Sequence, residues 1–187
     1  MKLQKPGAGL PQIERLFIRS ILVPSIRILL TWDMSTFLLK RELNIIKKIV
    51  SNVEKEKLTQ KVIIDRVFAI EDHTRQFSIN MVLEHLVIAG SLVKSIIETL
   101  SKEENFIEDV KIENVKPSKN IVDEYTEFEI FYNTYLDFIK QLPKKQSKMK
   151  KRHPWFINFN NYDWSVFMFM HTFIHRRQIQ AIIKELK

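Results

Sequence analysis

His171 and His175, in the stretch MFMHTFIHRRQIQAII, stand four residues apart, so on an α-helix their imidazoles leave one face a turn apart. Two imidazoles at that spacing can share one metal ion, and the segment that carries them is otherwise strongly apolar. A site needs a third donor from elsewhere in the chain. His85 supplies it, lying at the centre of an apolar helical face formed by Met81, Val82, Ile88, Ala89, Leu92 and Ile96. Three imidazoles leave one or two coordination positions open, as in catalytic sites, whereas structural sites are closed by four protein ligands. Each histidine taken alone reads as a core residue bonded to a neighbour. Three of the chain's five on inward faces are harder to explain that way, because each would need a polar partner in an aromatic-rich interior.

Two further residues point toward such a centre. Projected at about 100° per residue, Gln178 shares the arc of Trp164, Met168, His171, His175 and Ile182, where it either bonds a substrate or ligand or is a polar residue at the end of the helix. Glu42 falls in the middle of the arc set by Leu38, Leu39, Ile45, Ile46 and Ile49. It is read as an acceptor orienting a ligand histidine, as a general base, or as a carboxylate paired with Arg75 or another cation. Tyr125, Tyr132 and Tyr135 form a stripe that is more often core than pocket. His73 and His153 read as structural or solvent-exposed, and Glu84 projects about 100° from His85, away from the site. The basic run 144–152 lacks interleaved aromatics and any nucleic-acid fold signature, so it reads as a solvated loop.

The elements that must position these residues are helical. Only three Gly against thirteen Phe, with long periodic apolar stretches, argue against a sandwich or an alternating α/β fold, and 187 residues at 45% hydrophobic suffice for one well-buried core. A first long helix is expected over 33–53, a second over 78–100 capped by Ser78, and a third over 121–142 ended by Pro143. The last begins near Asn160, with Asp163 closing a capping box. The segment 55–76 loses periodicity and is expected as a long ordered connection with one short extended piece. The charged segment 101–120 is longer than antiparallel neighbours require, so it is read as a crossover between two parallel helices. The opening residues 1–12 read as a flexible lead. The stretch 13–30, interrupted by Arg19, Pro24 and Arg27, reads as a short Pro-broken helix packed on the domain rather than a signal or membrane span, with an interfacial helix on an anionic membrane as its alternative.

The absence of cysteine excludes thiolate ligands, catalytic thiols and disulfides, and suits a reducing, cytoplasmic compartment. A net charge of +8 favours an anionic partner, without choosing among a small molecule, a nucleic acid and a membrane surface.

The ordered set FSINMVLEHL at 77–86, HPWF at 153–156, Trp164 and HTFIHRRQI at 171–179 resembles the DinB-like superfamily of metal-dependent hydrolases, over about residues 32–187. The chain departs from that pattern at Phe77, where relatives commonly carry Trp, and at Ile157, where a glycine is usual. The resemblance implies an all-α fold, a four-helix bundle of DinB type with parallel second and third helices and a long crossover. Here a short N-terminal helical extension over 1–31 precedes the bundle at 32–187. It implies that His85, His171 and His175 bind a divalent metal, zinc or nickel first and manganese or iron next. It also implies either hydrolysis or transfer of a low-molecular-weight thiol such as bacillithiol to an electrophile, and it allows a homodimer. The expectation is thus a metal-dependent enzyme acting on a small, anionic or neutral substrate, with no nucleic-acid partner. The alternative is a non-catalytic bundle whose metal site is empty or structural and whose basic surface meets an anionic partner or membrane.

Overall fold

In the computed structural model, which describes residues 3–5, 7–121 and 123–187, four long helices pack on one core. Side-chain caps set where three of them begin. Thr31 accepts from the Met34 N–H ahead of α3 (Trp32–Val50), and Ser78 accepts from the Met81 N–H ahead of α4 (Ile79–Ser101). Asn160 and Asp163 form the expected capping box ahead of α6 (Asn161–Glu185). Helix α5 (Glu124–Gln141) has no side-chain cap; it starts three residues later than its apolar period suggests, and Ile121, counted on that face, lies outside the helix and is exposed. Helix α3 stops at Val50, short of the expected 53, and a 3-10 turn at Lys55–Thr59 follows.

Side-chain pairs give the helix directions. The start of α4 meets the segment leading into α5, where the Glu84 carboxylate accepts the backbone N–H groups of Ser118, Lys119 and Asn120 at 2.7–3.3 Å. Further along, Gly90 packs on Phe131 with no room for a Cβ, and Lys94 lies 4.5 Å from the centre of the Phe138 ring, so α4 and α5 run parallel. Helices α3 and α6 also run parallel, from Trp32 against Tyr162 at one end to Glu42 against Arg176 further along. The Asn161–Ser101 and His171–His85 contacts set α6 antiparallel to α4. Helix α4 is long and apolar enough to cross a membrane by composition, but over half of that stretch is buried inside the fold.

The N-terminal segment is helical throughout 12–29, as α1 (Gln12–Phe17), one π-helical turn (Ile18–Leu22) and α2 (Val23–Leu29). Pro24 explains the wider turn, because its ring would clash with the carbonyl four residues earlier in a regular helix. The lead before it is pinned rather than flexible over the described residues: Gln4 N–H donates to Asp72, and Gly7 and Gly9 N–H donate to Glu71. Met1, Lys2 and Pro6 of that lead lie outside the described residues. The connection 55–76 holds a second 3-10 turn (Asp72–Gln76), and Arg75 and Ile64 exchange bonds across it. The basic run is an ordered connector, with Lys144 paired to Asp33, Lys148 N–H bonded to Glu103 and Lys151 bonded to the Phe106 carbonyl. It ends in a hairpin that the sequence did not suggest, pairing β1 (Lys151–Arg152) with β2 (Asn158–Phe159) around the HPWF residues.

Glu84 is 2% exposed and fastens the crossover to α4. Glu84→Ala, which leaves three backbone N–H groups without that acceptor, is expected to cost about 2–3 kcal/mol in urea unfolding; a loss below about 0.5 kcal/mol would show that the crossover is held elsewhere.

Candidate metal centre

His85 from α4 and His171 and His175 from α6 meet with one nitrogen of each ring within 4.8 Å of the others. The rings are close, with centroids 4.5 Å apart for His171 and His175, 4.6 Å for His85 and His175, and 5.1 Å for His85 and His171. His85 Nε2 and His171 Nε2 are 3.2 Å apart. Two nitrogens on a tetrahedral zinc at 2.0–2.1 Å would stand about 3.3 Å apart, so the spacing fits a shared ion.

Outer bonds turn two rings to face inward. His85 Nδ1 lies 2.7 Å from the Val115 carbonyl, which can only accept, so Nδ1 carries the proton and Nε2 keeps its lone pair. Gln178 is fully buried, and its amide donates to the Thr74 carbonyl at 2.8 Å, which fixes its oxygen toward His175 Nδ1 at 2.7 Å. His175 must then carry its proton on Nδ1 and present Nε2 to the centre. Gln178 thus acts as an orienting residue and does not face the cavity. His171 is steadied by stacking on Phe167, with centroids 5.2 Å apart.

The centre forms part of the wall of a cavity of about 160 Å³. Ile18, Leu22, Val23 and Ile26 of the N-terminal helix line one side, and Val110, Val115 and Phe156 line others. All five histidines of the chain line this cavity. His153 is buried rather than exposed. It stacks on Phe156 at 4.4 Å, accepts the Trp155 N–H at Nδ1, and is pushed down to about 3 by burial, as a structural residue. His73, read from sequence as structural or exposed, is also buried.

Glu42 takes the ion-pair role with a different cation. Its carboxylate accepts Arg176 Nε at 2.6 Å and does not line the cavity, while Arg75 is bound to the Ile64 carbonyl and Asp72. The pair ties α3 to α6 at the residue after His175. Tyr132 and Tyr135 are buried in the core outside the cavity, with Tyr132 bonded to Thr172; Tyr125 is half-buried. Glu84 serves the crossover, as described above.

Burial lowers the pKa of all three centre histidines. It outweighs the bond to Val115 at His85, takes His175 down to about 3, and at His171 is reinforced by His175 and His85. The rings are therefore neutral at ordinary pH, the form that binds metals. Protein-family models, curated proteins and solved structures give no significant match to the chain.

Two outcomes follow. Gln178→Leu keeps the volume but frees the His175 ring, and zinc affinity should fall about 10- to 100-fold, read by competition with a chelating dye; unchanged affinity would remove Gln178 from the site. The second concerns acid. Below the ordinary histidine value of about 6.5 the unfolded chain protonates its histidines, while folded His175 and His153 resist until about 3. The unfolded state then binds more protons, so stability falls as pH falls through that window, by about 1.4 kcal/mol per pH unit for each such histidine. Denaturant midpoints of chelator-treated protein should drop between neutrality and about pH 5; equal midpoints would contradict neutral burial.

Proposed function

We propose that this chain is a DinB-like four-helix bundle that binds one divalent metal, zinc or nickel, through Nε2 of His85, Nε2 of His175 and a ring nitrogen of His171, and works as a metal-dependent enzyme. The convergence of three neutral imidazoles on the wall of an apolar cavity carries this reading. The parallel course of α4 and α5, joined by the long 102–123 crossover, supports the bundle type. Zinc or nickel suits imidazole donors, and three ligands leave a position for a reactant. When bound, such an ion supplies Lewis acidity that makes a water or a thiol nucleophilic near neutral pH.

The chain's own residues do the rest. Val115 and Gln178 hold two of the ligand rings in the tautomer that presents Nε2. Ile18, Leu22, Val23 and Ile26 exclude water from one side and favour an apolar electrophile. Lys111 and Lys116 on the cavity wall offer charge to an anionic cosubstrate, which favours transfer of a low-molecular-weight thiol such as bacillithiol over simple hydrolysis. We assign the reaction to the cytoplasm, where such thiols stay reduced.

Metal analysis of untagged protein supplied with zinc or nickel is expected to find close to one equivalent, and His85→Ala, His171→Ala and His175→Ala are each expected to lose most of it. Stoichiometry near zero would leave the non-catalytic reading, a basic bundle for an anionic partner. With metal bound, consumption of an apolar electrophile should depend on added bacillithiol or glutathione; a rate indifferent to thiol would point to hydrolysis.

A further inference from the structure

Glu71 and His73 line the same cavity as the three-histidine centre, yet neither belongs to the ligand set. Glu71 is 4% exposed, and its two oxygens accept the Gly9 N–H at 2.9 Å and the Gly7 N–H at 3.3 Å. Both glycines have φ near +80°, a backbone that side-chain-bearing residues rarely adopt. Burial pushes the Glu71 carboxyl up, but the nearby His73 ring and the bonds from the Gly9 and Gly7 N–H groups more than offset it, so the group is an ionised carboxylate held inside the fold.

His73 Nδ1 lies 3.1 Å from Glu71 Oε2, off the line of a straight hydrogen bond. The ring is 6% exposed and meets Phe77 edge-on. Nδ1 is the ring nitrogen nearer the carboxylate, with no hydrogen bond formed as placed, and Nε2 is the other nitrogen of a ring that lines the cavity. Titratable groups on the neighbouring elements have partners of their own. Asp72 is bonded to Arg75 and to the Gln4 N–H, Arg66 is paired with Glu14, and His85 is turned to Val115. The hydrogen bonds that hold the lead on the 3-10 turn come from Glu71 and Asp72, and His73 takes no part in them.

A carboxylate behind one imidazole nitrogen fixes the tautomer that makes the other nitrogen a base, and it stabilises the imidazolium once formed. We propose that His73, oriented by Glu71, is the proton-transfer residue of this cavity. Its Nε2 takes the proton from the S–H or O–H of the nucleophile, and the electron pair of that bond goes on to form the new bond to the electrophilic carbon. The bond from that carbon to its leaving group breaks, and the leaving group departs with that pair and the proton from His73. No electrons are gained or lost overall. His73 is thus the catalytic residue and Glu71 its positioning residue. The proposal rests on the metal reading above, because the nucleophile is ionised beside the three histidines.

The test uses protein labelled with nitrogen-15 at histidine and loaded with zinc, whose stoichiometry is measured first for each variant. The probe is acetohydroxamate, which gives up a proton on binding a metal. In the wild type, the His73 ring, assigned by the signal missing from His73→Gln, should pass from neutral to imidazolium when the probe binds. In Glu71→Gln it should stay neutral while zinc remains bound. His73→Gln should keep its zinc and lose about 100-fold or more in turnover with bacillithiol and an electrophile. Should His73→Gln fail to fold, His73→Asn supplies the assignment and the Glu71→Gln spectra still decide. A His73 ring that stays neutral in the zinc-loaded, probe-bound wild type overturns the proposal and leaves the metal centre standing. Protein that takes up no zinc overturns the metal reading and this proposal with it.

Discussion

Three imidazole rings face one point inside an apolar cavity, and they must be neutral to be there. Outer bonds leave His85 and His175 as acceptors toward that point, with His171 Nε2 only 3.2 Å from His85 Nε2. One proton on His171 can serve a single acceptor, whereas a cation serves all three lone pairs together. Protonating a ring instead is opposed by burial and by the neighbouring rings. On the metal reading proposed above a cation completes this donor set, and the surrounding bonds keep the lone pairs directed at one point.

That requirement accounts for features which look unrelated in the fold. The crossover carries the Val115 carbonyl that sets the His85 tautomer, and Glu84 fastens the same crossover to α4 a residue before His85. The connection 55–76 carries the Thr74 carbonyl that fixes the Gln178 amide, which in turn sets His175. The Glu42–Arg176 pair holds α3 to α6 beside His175. Loops and helices thus converge on ring orientation, and the N-terminal helix covers the resulting cavity with Ile18, Leu22, Val23 and Ile26.

The helices and the clustering of three histidines were legible because both depend on period. A spacing of four residues put His171 and His175 on one face, and the apolar arc of α4 put His85 opposite them. Capping chemistry set the starts at Ser78 and Asn160 for local reasons visible in the residues themselves. Other features were illegible because they depend on tertiary contact. The wheel found Glu42 inward but could not choose Arg176, which arrives from another helix. The role of Gln178 needed the Thr74 carbonyl, a backbone group that sequence cannot aim. His73 and His153 sit in irregular segments where no period predicts burial. The run Glu71–Asp72–His73, a carboxylate two residues from an imidazole, was the available signal for the former. The lead proved ordered because Gly7 and Gly9 bond Glu71, 62 or more residues away.

Zinc-edge X-ray absorption of the loaded, untagged protein reads the donor set of the three-histidine centre itself. Scattering from imidazole nitrogens is expected at about 2.0–2.1 Å, numbering about three, with one further light ligand that changes on adding a thiol or a hydroxamate. A shell of oxygen alone, a single imidazole, or four imidazoles unmoved by added ligand would contradict it.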